Sequence, residues 1–254
     1  MSQSNSTVTF ERLTELDTDA PTLIEGLPGH GLVASIAVEQ ITTQLRLEHH
    51  GNIVSAEFPP VTSFKDGRVR DPVRVYAGDD PPVMTLQSDV ALPGRSLDAL
   101  TQCILDDLTS EFERAIFLAG APAESEDEIG DVFGVATSEL GERRLLDAGI
   151  ELGKGFGLIG GITGALVAAC YHADVPATVL VVKANPYLPD PTAARSVIEN
   201  ALEPLVQFDI DTTALEAQAE QIKSEMEQIA QRYRESLEPT QQEPDEPIGP
   251  TMYQ

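Results

Sequence analysis

Glycine clusters are the residues of this sequence whose types and spacing come closest to a site of chemistry. The run Gly155-x-Gly157-x-x-Gly160 matches, as a string, the turn that binds the pyrophosphate of a dinucleotide. That turn needs a buried strand before it and an acidic residue about twenty positions further on. The preceding residues, LLDAGIELGKG, do not form a strand pattern, and the later apolar run TVLVV ends at Lys183 instead of an acid. The sequence therefore predicts no dinucleotide site and no cofactor.

A second glycine turn, GLPGHG, occupies residues 26–31 between a predicted strand and a predicted helix. Backbone amides at the start of a helix can bind an anion. A tight strand-to-helix turn also needs glycine, because glycine adopts positive φ at little cost. The tight turn is the favoured interpretation. The alternative is a small-molecule or nucleotide-binding enzyme that uses the Gly-rich loops at 26–31 and 153–161.

The remaining reactive side chains show no catalytic or metal-binding pattern. The four histidines have no ligand spacing, and no serine lies in a nucleophile elbow. Cys103 and Cys170 lie inside apolar patterns, which predicts buried free thiols. The sequence therefore predicts no catalytic residue and no metal site.

The charge of the chain restricts its partners. The 42 acidic residues outnumber the 16 basic residues, for a formal net charge of −26, and the acids are spread along the whole sequence. A field of this sign repels phosphate backbones and anionic membranes, so neither nucleic acid nor a membrane is an expected partner. A lysine-poor surface rich in carboxylates is typical of proteins from salt-loving archaea, in which molar salt screens the self-repulsion.

The first twenty residues are polar and are expected to form a flexible N-terminus, 1–20. The opening MSQSNSTVTF lacks the basic-then-apolar order of a signal peptide. No apolar run is long enough to span a bilayer. We therefore expect a cytoplasmic protein.

Strand and helix patterns alternate over residues 21–210. Short apolar runs such as RAIFLAG and PATVLVVKA have the composition of strands buried on both faces. Helical spacing separates them, as in LVASIAVEQITTQL and in the proline-initiated PDPTAARSVIENALEPL. This order predicts an α/β domain, a three-layer sandwich around a mostly parallel sheet.

The pattern changes at 211–237, which is expected to form a long C-terminal helix. The seam of this helix consists of apolar residues that step by four and three, namely Leu215, Ala219, Ile222, Met226, Ile229 and Tyr233. The repeat is too short to establish a coiled coil. Two interpretations stay open: the helix folds back on its own domain, or it contacts another subunit.

The final segment, 238–254, is rich in proline, glutamate and glutamine and is expected to be a disordered acidic tail. An extended tail of this length would reach up to about 45 Å from the globular body. The tail nevertheless ends in Met252, Tyr253 and Gln254. An apolar residue and an aromatic residue next to the terminal carboxylate form a group that a partner could recognise, because no internal position offers that carboxylate.

The motifs LIEGLPGHGLVASIA and GLIGGITGALVAACYHADVPATVLVVKANPYLPDPTAARSVIENAL, with the long terminal helix, resemble the archaeal branch of the proteasome assembly chaperone family. The similarity runs from about Pro21 to Leu237. This resemblance implies an α/β sandwich related to nucleoside-phosphorylase folds. It also implies homo-oligomers that act as binding proteins without catalysis.

The same resemblance implies a role for the chain end. In this family a hydrophobic residue, a tyrosine and any residue at the C-terminus dock between neighbouring α subunits of the proteasome core particle. The corresponding positions here are Met252, Tyr253 and Gln254. The implied function is an ATP-independent assembly chaperone or activator whose partner is the α ring.

Overall fold

The computed structural model describes residues 8–16, 21–222 and 224. Its strands are β1 (Val8–Arg12), β2 (Thr22–Gly26), β3 (Glu48–Ser55), β4 (Ser63–Lys65), β5 (Arg68–Arg70), β6 (Val73–Asp79), β7 (Pro82–Ser88), β8 (Arg114–Pro122), β9 (Val132–Ala136) and β10 (Ala177–Ala184). Its helices are α1 (Val33–Gln44), α2 (Leu97–Cys103), α3 (Glu139–Asp147), α4 (Gly161–His172), α5 (Pro191–Val197) and α6 (Glu203–Val206). The π-helical segments Ile104–Leu108 and Ile198–Leu202 continue α2 and α5, and residues 213–222 form a further helix.

Eight of these strands form one mixed sheet in the order β1-β3-β6-β7-β2-β8-β10-β9. The β7–β2, β2–β8 and β8–β10 pairs are parallel. The other four pairs, β1–β3, β3–β6, β6–β7 and β10–β9, are antiparallel. The α/β class is confirmed, but the prediction of a mostly parallel sheet is wrong.

Connection length explains the antiparallel pairing of β6 with β7. Only two residues separate Asp79, the end of β6, from Pro82, the start of β7. A parallel connection needs a crossover of a dozen or more residues, so neighbouring strands joined this tightly must be antiparallel. The prediction of a mostly parallel sheet extended the alternation of strands and helices elsewhere in the chain to these two strands.

Helices cover both faces of the sheet. Successive residues of a strand point to opposite faces, so they pack into two separate hydrophobic cores. In β8, Ile116 and Leu118 pack on the first face with α1 and α5. Ala115 and Phe117 of the same strand pack on the second face with α2 and α4. Side chains alternate across a strand, so a strand that is buried on both faces is apolar at every position. The prediction for RAIFLAG is thereby confirmed.

The start of α5 follows directly from its local sequence. The Asp190 side chain accepts a hydrogen bond from the Ala193 amide at 2.9 Å, and Pro191 occupies the first turn. A capping carboxylate satisfies an amide that the helix leaves free, and proline is already restricted to a helical φ. The predicted proline-initiated helix is confirmed.

Two parts of the chain form strands that the sequence did not predict. Strand β1 lies within the segment 1–20 that was expected to be flexible, and it pairs with β3 from Val8 to Arg12. Strands β4 and β5 form a small hairpin that the sequence analysis did not identify.

No helix in the described ranges is long and apolar enough to cross a membrane.

The start of the predicted seam lies on the body of the protein. Leu215 is buried in the first core. Ala219 and Ile222 are partly buried. The later seam positions Met226, Ile229 and Tyr233 lie outside the described residues.

Candidate functional site

The sheet has a switch point between β2 and β8, which are neighbouring parallel strands. After β2 the chain passes through α1 on the first face and reaches β3, to one side of the switch point. After β8 it reaches β10, on the other side, through α4 on the second face. Because the two connections diverge, a crevice opens at the carboxyl ends of the strands, where α/β proteins commonly bind ligands.

A large cleft occupies this position, with a volume of about 1040 Å³. Its walls are the turn at Gly29 and His30, the end of β8 at 118–121, the loop 151–160 and one side of α4. The two Gly-rich loops at 26–31 and 153–161 are therefore brought to one site. The two loops lie far apart in the sequence, and the fold brings them together.

Glycine is required where the first loop turns against β8. Gly31 has a φ of 62°, and a Cβ atom at Gly120 would lie 2.3 Å from the His30 carbonyl oxygen. Any side chain at Gly120 would push the turn away from the strand, since real Cβ contacts are never this close. The positive φ of Gly31 agrees with the tight-turn interpretation of GLPGHG, and the close approach of this turn explains the glycine at position 120 of β8.

A buried carboxyl group lies beneath the cleft. Glu25, in β2, accepts hydrogen bonds from the Leu27 amide at 2.9 Å and from the Leu118 amide at 3.4 Å. The Thr163 side chain, in α4, bonds the same carboxyl group. Burial raises the pKa of Glu25 to about 8, although these hydrogen bonds lower it. Glu25 therefore carries its proton at neutral pH and ties together the turn, β8 and α4.

Sequence reasoning missed the role of Glu25. The signal was the single acid in the otherwise apolar strand TLIEG, a position where an unpaired charge is costly. The strand residues around it are completely buried. An acid in such a strand indicates either a neutral carboxyl group or a paired one.

The lining of the cleft suits binding better than catalysis. Phe156 and Leu158 project from the loop with 89% and 87% of their surface exposed. The lining holds one ion pair, Glu151–Lys154, at 2.9 Å, and both side chains lie largely in solvent. His30 Nε2 has no hydrogen-bond partner among the described residues. The site thus offers a shaped surface, mostly apolar, with exposed backbone at its glycines.

The cysteines contribute no nucleophile. Cys103 and Cys170 are free and buried, as predicted. Burial raises the pKa of Cys103 to about 12, assisted by the charge of Asp107. Burial likewise raises the pKa of Cys170 to about 11. Both remain thiols near neutral pH, and the thiolate is the reactive form.

Neither a metal-binding cluster nor the predicted docking residues are found among the residues that the structure describes. Within the described ranges, no three His, Cys, Asp or Glu side chains come close enough to hold a metal ion. The predicted docking residues Met252, Tyr253 and Gln254 lie outside the described residues, as does the whole segment 238–254.

Comparison with known proteins identifies relatives along most of the chain. An uncharacterised protein of Methanocaldococcus jannaschii is 26% identical over 234 residues, which cover 92% of this chain and 95% of that protein. A crystal structure of Pyrococcus furiosus PbaA, described as an archaeal homolog of proteasome-assembly chaperone, superposes with a TM-score of 0.80. It is 26% identical and covers 91% of this chain and 94% of its own.

A second Pyrococcus furiosus structure shares the fold. PbaB, described as an archaeal proteasome activator, superposes with a TM-score of 0.77 at 20% identity, over 89% of this chain and 99% of its own. The model of the PAC2 family matches residues 23–230, which contain the cleft, the start of the terminal helix and every strand of the sheet except β1 and the first residue of β2. The chain belongs to the PAC2 family.

Proposed function

We propose that this protein is a non-enzymatic, ATP-independent binding protein of the proteasome core particle. Its C-terminal Met252, Tyr253 and Gln254 dock between α subunits, and the globular body presents this tail. The observation that carries the proposal is the likeness to PbaA, an archaeal homolog of proteasome-assembly chaperone, over 91% of the chain. The function is assembly of the α ring, opening of its gate, or both.

The chemistry of the chain end supports this mode of docking. A terminal carboxylate is recognised by a cation or by backbone amides, and only the last residue of a chain can supply it. Tyr253 adds a large aromatic surface that loses little conformational entropy when it is fixed. The body has a large negative charge, so a contact confined to the tail also limits repulsion from an acidic partner surface.

The sharpest test moves the carboxylate and keeps every side chain. We expect that one glycine added after Gln254 abolishes binding to purified core particle, because the carboxylate no longer follows the tyrosine at the required distance. The matched control inserts one glycine between Pro250 and Thr251. It gives the same length but preserves the terminal Met-Tyr-Gln, so it should bind like wild type.

Both variants should match the wild-type thermal stability and subunit number. Binding is measured by surface plasmon resonance on immobilised core particle at fixed salt. If the extended protein binds as well as the insertion control, docking through the terminal carboxylate is refuted.

A second candidate function is the binding of a small molecule or nucleotide in the cleft. The observation in its favour is that the loops 26–31 and 153–161 border one cavity of about 1040 Å³. A ligand that binds only the folded protein raises its free energy of unfolding, by about 2.7 kcal/mol at a hundredfold excess over Kd. A thermal-shift screen with nucleosides and nucleotides tests this candidate, and a protein truncated after Pro250 should respond identically.

A further inference from the structure

The basic residues of this acidic chain are unevenly distributed. The chain has only 16 lysines and arginines, yet four of them fall within ten residues, at Lys65, Arg68, Arg70 and Arg74. These residues span the β4–β5 hairpin and the start of β6. Like charges this close together repel one another unless an anion compensates them. The cations whose charge no carboxylate neutralises are therefore the ones available to a ligand.

Two of these arginines share one carboxylate. Arg74 binds Asp89 through two hydrogen bonds, of 2.6 and 2.9 Å, and its side chain is almost completely buried. Arg70 Nη2 donates to the same carboxylate at 3.1 Å. Burial alone would raise the pKa of Asp89, but hydrogen bonds from Arg74 and Ser63 and the charges of both arginines lower it. Asp89 is therefore ionised, and its single charge offsets only one of the two arginines.

Arg70 also lines a pocket in which other cations meet. This pocket has a volume of about 370 Å³ and is bordered by Glu39, Thr42, Thr43, Arg46, Leu47, Lys65, Arg70, Tyr76 and Gln87. It shares no lining residue with the cleft. Three cations thus face one small cavity from the end of α1, from β4 and from β5. We call it the basic pocket.

The negative groups at the basic pocket do not balance its cations. Glu39 approaches Lys65 at 3.6 Å, but both side chains are more than half exposed, so this pair is weak. Arg46 follows the end of α1, whose carbonyl groups carry about half a negative charge. The Arg46 guanidinium makes no ion pair with any residue that the structure describes. The pocket retains a net positive charge.

We propose that the basic pocket binds a small molecule that bears a phosphate group. Arginine guanidinium groups match the oxygens of phosphate, and hydrogen bonds between ionised partners are about twice as strong as neutral ones. Arg70 is fixed by Asp89, so little of its freedom is lost on binding. The hydroxyl groups of Thr43 and Tyr76 border the same cavity and supply further donors. A volume of about 370 Å³ accommodates a small metabolite.

Calorimetric titration of the full-length protein with inorganic phosphate, at fixed ionic strength in KCl, tests this site. We expect Arg46→Gln and Lys65→Gln each to weaken binding about tenfold, the loss of one charge-assisted hydrogen bond. Both side chains are exposed, so the variants should fold like wild type. The matched control is Arg143→Gln, which removes the same charge from an exposed arginine of α3 that lines neither the basic pocket nor the cleft.

The titrations distinguish a phosphate site in the basic pocket from the absence of such a site. Binding that weakens in both pocket variants and is unchanged in Arg143→Gln supports the site. Absence of phosphate binding to wild type, or equal affinity in all four proteins, overturns it. Tighter binding of malonate than of phosphate would overturn the assignment of the ligand as a phosphate compound. None of these results depends on whether the C-terminus docks on the core particle.

Discussion

At the scale of single residues, Glu25 is the group whose chemistry depends most on its surroundings. Its pKa rises from an ordinary 4.5 to about 8 in the folded protein. Between these two pH values only the unfolded chain releases the proton, so the free energy of unfolding falls as pH rises, by at most about 1.4 kcal/mol per pH unit. Glu25→Gln cannot ionise. We therefore expect its stability relative to wild type to increase with pH through this window.

Urea unfolding at about pH 5 and about pH 8 measures this difference. The control is Glu151→Gln. Glu151 is fully exposed, and its hydrogen bond to Lys154 lowers its pKa, so it does not titrate in the window. Equal pH dependence of wild type and Glu25→Gln would show that Glu25 is ionised in the folded protein.

At the scale of elements, the start of the terminal helix packs on its own domain, whereas the later seam positions lie outside the described residues. Leu215 packs in the first core, and Gln40 of α1 donates a hydrogen bond to the Asp211 carbonyl at 2.6 Å, which ties the start of the helix to the body. If the seam forms a subunit contact, Ile222→Asp combined with Ile229→Asp should shift the protein to monomers and leave it folded, because buried charges in such a contact are costly. Light scattering measures the mass, and circular dichroism measures folding.

The control for this helix combines Gln218→Asp with Gln228→Asp, which adds the same charge at positions off the seam. It should keep the subunit number of wild type. Loss of folding in the seam variant would instead assign the whole helix to the core of its own subunit.

At the scale of the whole molecule, valency should determine the strength of binding to the core particle. A short segment that orders on docking loses conformational entropy and buries little area, so each tail binds weakly. Several tails on one oligomer make the later contacts intramolecular, which raises avidity by about 10²–10⁴. We expect a synthetic peptide of the last ten or so residues to compete poorly with the intact protein. Competition in surface plasmon resonance measures this ratio.

A peptide with Tyr253 replaced by alanine is the control, and it should not compete at all. If the natural peptide matched the intact protein at equal concentration of chain ends, valency would make no contribution.

The sequence by itself determined features that depend on near neighbours. Fully apolar runs predicted strands buried on both faces, because each side of the sheet needs its own apolar residues. Proline at the start of PDPTAARSVIENALEPL predicted the start of α5, because proline is already restricted to the φ of a first helical turn. The apolar context of Cys103 and Cys170 predicted buried thiols. The residues LPGHG and PYLPDPTAA sufficed to indicate the family.

Only the tertiary structure decided what depends on residues far apart in the chain. A short apolar run carries no direction, so the antiparallel half of the sheet followed from connection lengths and strand order. The loops 26–31 and 153–161 meet because the chain diverges at the β2–β8 switch point. Glu25 is neutral because β2, β8 and α4 together exclude water from it. Arg46, Lys65 and Arg70 border one cavity although they follow α1 or lie in the β4–β5 hairpin, and charge acts through space, without regard to position in sequence.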